Sequence, residues 1–239
     1  MQMLVRSPLF LLFLMGTFLH YLVFYYLRSR TGLIDRAQWM HYWAKVFCRW
    51  FGIQVHSVGK PPDSGIICSN HISYLDILVL GSLCPLVFVS KIEVRNWPFV
   101  GQLTTLAGTI YVDRSKRSEV VKIGESIASV LKEKVVVAVF PEGTSSDGSQ
   151  VLPFYPSLLE PVVQGGWPVT PVRLTYSVPT GKVETDVAYW GEMAFVPHFI
   201  KLMAKKRVNA EVSFLPVQQG FINRKQAARD LHEMISNVR

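Results

Sequence analysis

The sequence predicts an α/β fold: a mixed, largely parallel sheet flanked by helices, with an N-terminal membrane-anchoring helix. Three observations carry the prediction. Short β-rich runs alternate with helical periodicity between residues 53 and 176, as expected of parallel strands joined by helical crossovers. Residues 8–27, PLFLLFLMGTFLHYLVFYYL, hold no formally charged side chain and are long enough to cross a hydrocarbon core as a helix. The mean hydropathy is +0.25, above that of a typical soluble enzyme, so apolar surface is expected to meet lipid. A chain of 239 residues supports one substantial core. It is divided into an N-terminal anchor and interfacial helix (1–51) and a main domain (52–239).

The elements follow in order. In the apolar run, Tyr21, Tyr25 and Tyr26 crowd the C-terminal end, where aromatic rings suit the headgroup level. No small-residue cleavage site follows, so a signal peptide is disfavoured. Pro8, Gly16 and His20 weaken the spanning form and leave an in-plane anchor open. Arg6 precedes the run, whereas Arg28, Arg30, Arg36, Lys45 and Arg49 follow it. The positive-inside rule then places the rest of the chain in the cytoplasm, on the inner membrane. Residues 35–51, DRAQWMHYWAKVFCRWF, alternate basic and aromatic side chains at helical spacing and read as an amphipathic interfacial helix. Strands are predicted at 53–58, 65–70, 86–90, 109–112, 135–140 and 169–176, a helix at 118–133, and a surface helix in the C-terminal FINRKQAARDLHEMISNVR.

The formal charge of +8 suits an anionic partner. Nucleic acid is excluded by the lack of any helix-turn-helix, zinc spacing or RNP-like stretch. The basic residues after the anchor and in KLMAKKR (201–207) suit an anionic membrane instead. Cys48, Cys68 and Cys84 are odd in number, lack metal-ligand spacing and lie in apolar contexts, so they read as buried free thiols. No cofactor or metal is called for.

Residues 69–78, SNHISYLDIL, place His71 and Asp76 in an apolar stretch. Such groups are costly to bury unless paired. They read either as a core histidine beside a capping aspartate, or as a general base with an orienting carboxylate. Ligands on parallel sheets bind beyond the carboxyl ends of the strands. Those ends carry Asn70-His71, Ser90-Lys91, Asp113-Arg114 and Pro141-Glu142-Gly143. The chain contains no G-x-S-x-G elbow, which leaves a substrate hydroxyl, deprotonated by His71, as the nucleophile. Gly143 to Gly148 begin like a P-loop, but Ser149-Gln150 replace the required Lys-Ser/Thr and nucleotide binding is rejected.

NHISYLD, Lys91 in SKIEVRNWPFVG, GTIYVDR, FPEGT and VTPV (169–172) occur in the order and spacing of the glycerolipid acyltransferases. Over about residues 60–180 the chain resembles the PlsC-like lysophospholipid acyltransferases. The resemblance implies the glycerolipid acyltransferase fold on a membrane-associated helical motif, a lysolipid acceptor, and acyl-CoA or acyl carrier protein as donor. It implies His71 as general base, Asp76 as its partner, Arg114 and Lys91 as phosphate contacts, and Glu142, Gly143 and Thr144 in acceptor binding. The best-known family acceptor is 1-acylglycerol-3-phosphate. Where many members read F-P-E-G-T-R and P-F-K, this chain has Ser145 and Tyr155. Fewer cationic partners on that wall predict an acceptor with a less charged head, such as a lyso-aminolipid or a lysophosphodiester. A lipid hydrolase and an inactive lipid-binding protein are the readings from other classes.

Overall fold

The computed structural model describes residues 2–28, 32–97, 100–113 and 119–238. Two helices, α1 (Gln2–Arg28) and α2 (Leu33–Phe51), lead into β1 (Ile53–Val58) and β2 (Ile66–Ser69). Next come α3 (Leu75–Leu83), β3 (Leu86–Lys91), α4 (Val100–Leu106) and β4 (Ile110–Val112). The middle of the chain forms α5 (Glu119–Lys132), β5 (Val136–Val139), α6 (Pro156–Gly165) and β6 (Val169–Ser177). It closes with α7 (Val183–Asp186), α8 (Phe195–Ala204), β7 (Val208–Phe214) and α9 (Arg224–Ser236).

The strands described form one seven-stranded sheet in the order β1-β7-β6-β2-β5-β3-β4. From β6 to β4 every pairing is parallel, and β7 joins β6 antiparallel while running parallel to β1. The central strands β2 (IICS) and β5 (VVAV) are buried along their whole length, which is why they read as unbroken apolar runs instead of alternating ones. Helices α1, α2, α3 and α8 pack on one face, and α5, α6 and α9 on the other. The mixed, largely parallel sheet and its six expected strands are as the sequence predicts. Strand β7 is not among them, although VNAEVSF alternates strictly and buries Val208, Ala210, Val212 and Phe214. Its place between β1 and β6 turns the sheet from parallel to mixed.

The N-terminal helices differ from the expectation. No helix among the described residues is long and apolar enough to cross a membrane, so a spanning anchor is not borne out. Helix α1 lies against the domain instead. Phe13 is buried against Trp43, Phe47 and Phe51, with ring centroids 5.4, 5.4 and 6.3 Å away, and Phe10 meets Phe199 of α8 at 4.9 Å. The Arg6 guanidinium donates to the Met203 carbonyl at 3.0 Å and to those of Lys205 and Lys206. It thereby satisfies carbonyls left open at the C-terminus of α8. Helix α2 buries Trp39, Met40, Ala44, Phe47 and Phe51, so much of its aromatic content faces protein. It ends at Gly52 in the left-handed conformation (φ 72°), where a Cβ would lie 2.6 Å from the Lys206 carbonyl oxygen, so only glycine fits.

If α1 is part of this core, Phe13→Ala should lower the unfolding free energy by about 3 kcal/mol or more. Leu12→Ala, on the exposed side of the same helix, should cost about 0.5 kcal/mol or less. Equal effects in chemical denaturation would show that α1 is not docked.

Candidate active site

The parallel order β2-β5-β3-β4 brings the carboxyl ends of four neighbouring strands to one edge. His71 follows β2, Glu142 and Gly143 follow β5, Lys91 ends β3, and Asp113 follows β4. The dispersed motifs are gathered by strand order alone. Arg114 lies outside the described residues.

At the end of β2, the Asn70 side chain continues the sheet after the backbone has left it. Its amide donates to the Leu174 carbonyl at 2.9 Å and accepts the Leu174 N–H at 2.7 Å. The chain can then turn away with Asn70 buried and its polar atoms satisfied. Helix α3 begins just beyond and carries Asp76 in its first turn.

Asp76 is completely buried. Its Oδ2 accepts from His71 Nδ1 at 2.7 Å, the Ile72 N–H at 2.7 Å and the Ser73 N–H at 3.1 Å. Its Oδ1 accepts the Tyr176 hydroxyl at 2.7 Å. The two backbone N–H groups and the phenol are donors, an arrangement that suits a carboxylate, and beside a carboxylate oxygen His71 places its proton on Nδ1. Nε2 is therefore the basic nitrogen. The imidazole stacks on Phe140, centroids 4.2 Å apart, with its side chain one-fifth exposed.

The loop after β5 holds the histidine by its own peptide. Glu142 Oε1 accepts the His71 N–H at 2.9 Å, and the Ser146 N–H donates to the His71 carbonyl at 2.8 Å. Burial pushes the Glu142 carboxyl up to about 8, and Asp76 adds to this, while the His71 and Leu152 N–H groups and Arg173 pull it down. The carboxyl is thus turned inward, onto the loop that carries the histidine. Gly143 has φ 68° and donates to the Phe140 carbonyl at 3.1 Å, a left-handed turn that suits glycine. Thr144 is exposed. Ser145 donates to the Tyr189 carbonyl, and the Tyr189 N–H donates to the Ile72 carbonyl at 2.9 Å. The segment around Tyr189 is therefore stitched to both motifs.

Asn70, Phe140, Ser146, Tyr176 and Tyr189 are contributors that the sequence did not single out for these roles. Asn70 was the most legible, since a buried amide at a strand end needs partners for all its polar atoms. Tyr176 was not legible, because its partner lies 100 residues away. The basic cluster 201–207 is also changed in meaning: Lys201 (2.7 Å) and Lys205 both pair with Asp186, and Leu202 and Met203 are buried. Cys48, Cys68 and Cys84 are buried free thiols, as expected.

A family model described as acyltransferase matches residues 52–175. The lyso-ornithine lipid O-acyltransferase of Rhizobium meliloti is 28% identical over 84% of this chain and 75% of its own length. That of Rhodobacter capsulatus is 34% identical, over 69% and 62%. The 1-acyl-sn-glycerol-3-phosphate acyltransferase of Neisseria gonorrhoeae is 29% identical, over 67% and 64%. The chain thus spans between 62 and 75% of these relatives' lengths. The crystal structure of the 1-acyl-sn-glycerophosphate acyltransferase PlsC from Thermotoga maritima superposes with a TM-score of 0.66 at 20% identity, covering 99% of this chain and 95% of the other. At that identity the likeness speaks for the fold.

The Glu142 carboxyl predicts a pH signature. Its value is raised from 4.5 to about 8, so the folded state binds its proton more tightly than the unfolded state. The resulting stability is fully present below the unfolded value and is lost as pH rises through about 8. Glu142→Gln keeps an acceptor for the His71 N–H but does not titrate. Between about pH 5 and about pH 8 its unfolding free energy should rise relative to the unsubstituted protein, by on the order of 3 kcal/mol. Parallel pH profiles of chemical denaturation would contradict this.

Proposed function

This chain belongs to the acyltransferase family, and from that premise we propose that it transfers a fatty acyl group from an acyl thioester to the hydroxyl of a lysolipid. The observation that carries the proposal is the His71 Nδ1 to Asp76 hydrogen bond of 2.7 Å, which fixes the tautomer and leaves Nε2 basic. In this reading Nε2 takes the acceptor hydroxyl proton as the oxygen attacks the thioester carbonyl. A C–O bond forms, the tetrahedral centre collapses, the C–S bond breaks, and the imidazolium returns the proton to the departing thiolate. Asp76 offsets the positive charge on His71 while the proton is held.

For the acceptor we infer a lysolipid whose head is less anionic than a phosphomonoester, with a lyso-ornithine-type aminolipid as the favoured case. Ser145 stands where many members have arginine, and its hydroxyl is already engaged by the Tyr189 carbonyl. Tyr155, where many have lysine, is exposed and supplies no cation. The names of the Rhizobium and Rhodobacter relatives support the same reading. Lysophosphatidate is the second reading, favoured by the Neisseria relative's name and by Lys91 at the end of β3.

The lipid surface is met, in this proposal, by α1 lying in the plane of an anionic membrane. Leu11, Leu12, Met15, Leu19 and Leu22 are all exposed. At about 100° per residue they fall within roughly a third of the helix circumference, opposite Phe10, Phe13 and Thr17. Val196 and Ile200 of α8 are also exposed and extend the apolar surface.

One labelled acyl thioester offered to lyso-ornithine lipid, lysophosphatidate and a lysophosphodiester tests the chemistry and the acceptor. Lyso-ornithine lipid should be acylated at least as well as lysophosphatidate. His71→Ala should lower turnover by about a hundredfold or more in a protein that still folds, as circular dichroism would show. Retained activity in that variant would remove His71 as the base, and strict use of lysophosphatidate would reverse the acceptor reading.

For the membrane face, replacing Leu12, Met15 and Leu19 with Gln should reduce co-sedimentation with anionic vesicles at least about tenfold, with folding intact. Unchanged sedimentation would move the attachment to another surface.

A further inference from the structure

We propose that Tyr176 is a positioning residue for the proposed acyl transfer, setting through its hydrogen bond to Asp76 Oδ1 how strongly that carboxylate acts on His71. The inference rests on the His71–Asp76 reading above. The two oxygens of Asp76 are used unequally. His71, Ile72 and Ser73 all donate to Oδ2, while Tyr176, at 2.7 Å, is the donor to Oδ1 among the described residues. Without the phenol, one oxygen of a completely buried carboxylate would face no donor. Such a group must rotate, or direct more of its charge at the remaining partners.

The phenol is placed for this by the sheet. On β6, Val172, Leu174 and Tyr176 share the face that packs against α2 and α3. Leu174 is the residue clasped by Asn70 at both its N–H and its carbonyl. The clasp that ends β2 thus also fixes the register that carries Tyr176, two residues on, to Asp76. Burial and the neighbouring Asp76 push the Tyr176 hydroxyl well above its ordinary value, so it stays a donor throughout the working pH range. The other titratable groups facing the pair are His71 itself, Glu142 from the loop after β5, and Cys48 from α2. Burial raises the Cys48 thiol to about 12, which keeps it neutral.

A donor on Oδ1 draws charge away from Oδ2. Removing it should strengthen the pull of Asp76 on the His71 ring and favour the imidazolium. Tyr176→Phe, which keeps the ring and loses the hydroxyl, should therefore move the acidic limb of the kcat/KM profile to higher pH by about half a unit. The carboxylate, freed to rotate, would also hold the imidazole less well, so kcat should fall about tenfold with KM within about twofold. Incorporating 3,5-difluorotyrosine at 176, a stronger donor of nearly the same shape, should move the limb the other way. In an Asp76→Asn background the Phe substitution should add less than about twofold, because the carboxylate through which it acts is gone. Acid limbs that stay in place in both single variants, or a Phe effect that multiplies in full with Asp76→Asn, would overturn the role of Tyr176. His71→Ala in the same assay keeps the two readings apart: an active His71→Ala enzyme removes the general base itself, whereas an inactive one beside unshifted limbs removes only Tyr176.

Discussion

A completely buried aspartate is the constraint around which the site is organised. An unpaired carboxylate in the interior would cost several kcal/mol, and Asp76 is tolerated there because donors surround both its oxygens. Two of them are backbone N–H groups of the turn that opens α3, so the loop conformation and the charge require one another. The third is the imidazole, the group that carries the proposed chemistry, and the fourth comes from a different part of the sheet. Because the ion is satisfied by fixed protein partners, it would orient the proposed base without reorganising as charge develops.

The loop after β5 serves the same end from the opposite side. It grips the His71 peptide at both its N–H and its carbonyl and lays Phe140 against the ring. Residues that family resemblance associates with the acceptor therefore also act as scaffold. Glu142 is the clearest case, a carboxyl turned into the protein and raised by burial. Ser145 is another: with a short hydroxyl in place of a long cation, the wall closes on the Tyr189 segment. A hydroxyl in that position thus supplies a tether.

Helix α1 packs on the domain along one side only, and lipid is the proposed environment of the other. Its aromatic side meets α2 and α8, Arg6 closes the end of α8, and the aliphatic side stays open. An all-apolar sequence cannot distinguish a helix surrounded by lipid from one shared between protein and lipid, because the composition is the same in both. Partition between them is decided by what packs on the Phe10 and Phe13 side.

The sequence by itself determined the six strands whose β-branched runs are bounded by turn residues and the helix at 118–133; it placed His71 and Asp76 five residues apart but left two readings of them open, and the pairing is a result of the structure. Those strands and that helix depend on interactions within a few residues, or on a periodicity that local sterics enforce. Strand β7 was legible too in VNAEVSF, but only as a strand; that it lies between β1 and β6, parallel to the first and antiparallel to the second, depends on partners far away in the chain. The tertiary structure alone decided that Tyr176 reaches Asp76, that Ser146 and Glu142 hold the His71 peptide, and that Lys201 and Lys205 neutralise Asp186 rather than stand free. Such contacts join side chains far apart in the chain, and no local propensity encodes them. They are fixed by strand order and register, where a shift of one residue along β6 would turn Tyr176 to the opposite face of the sheet.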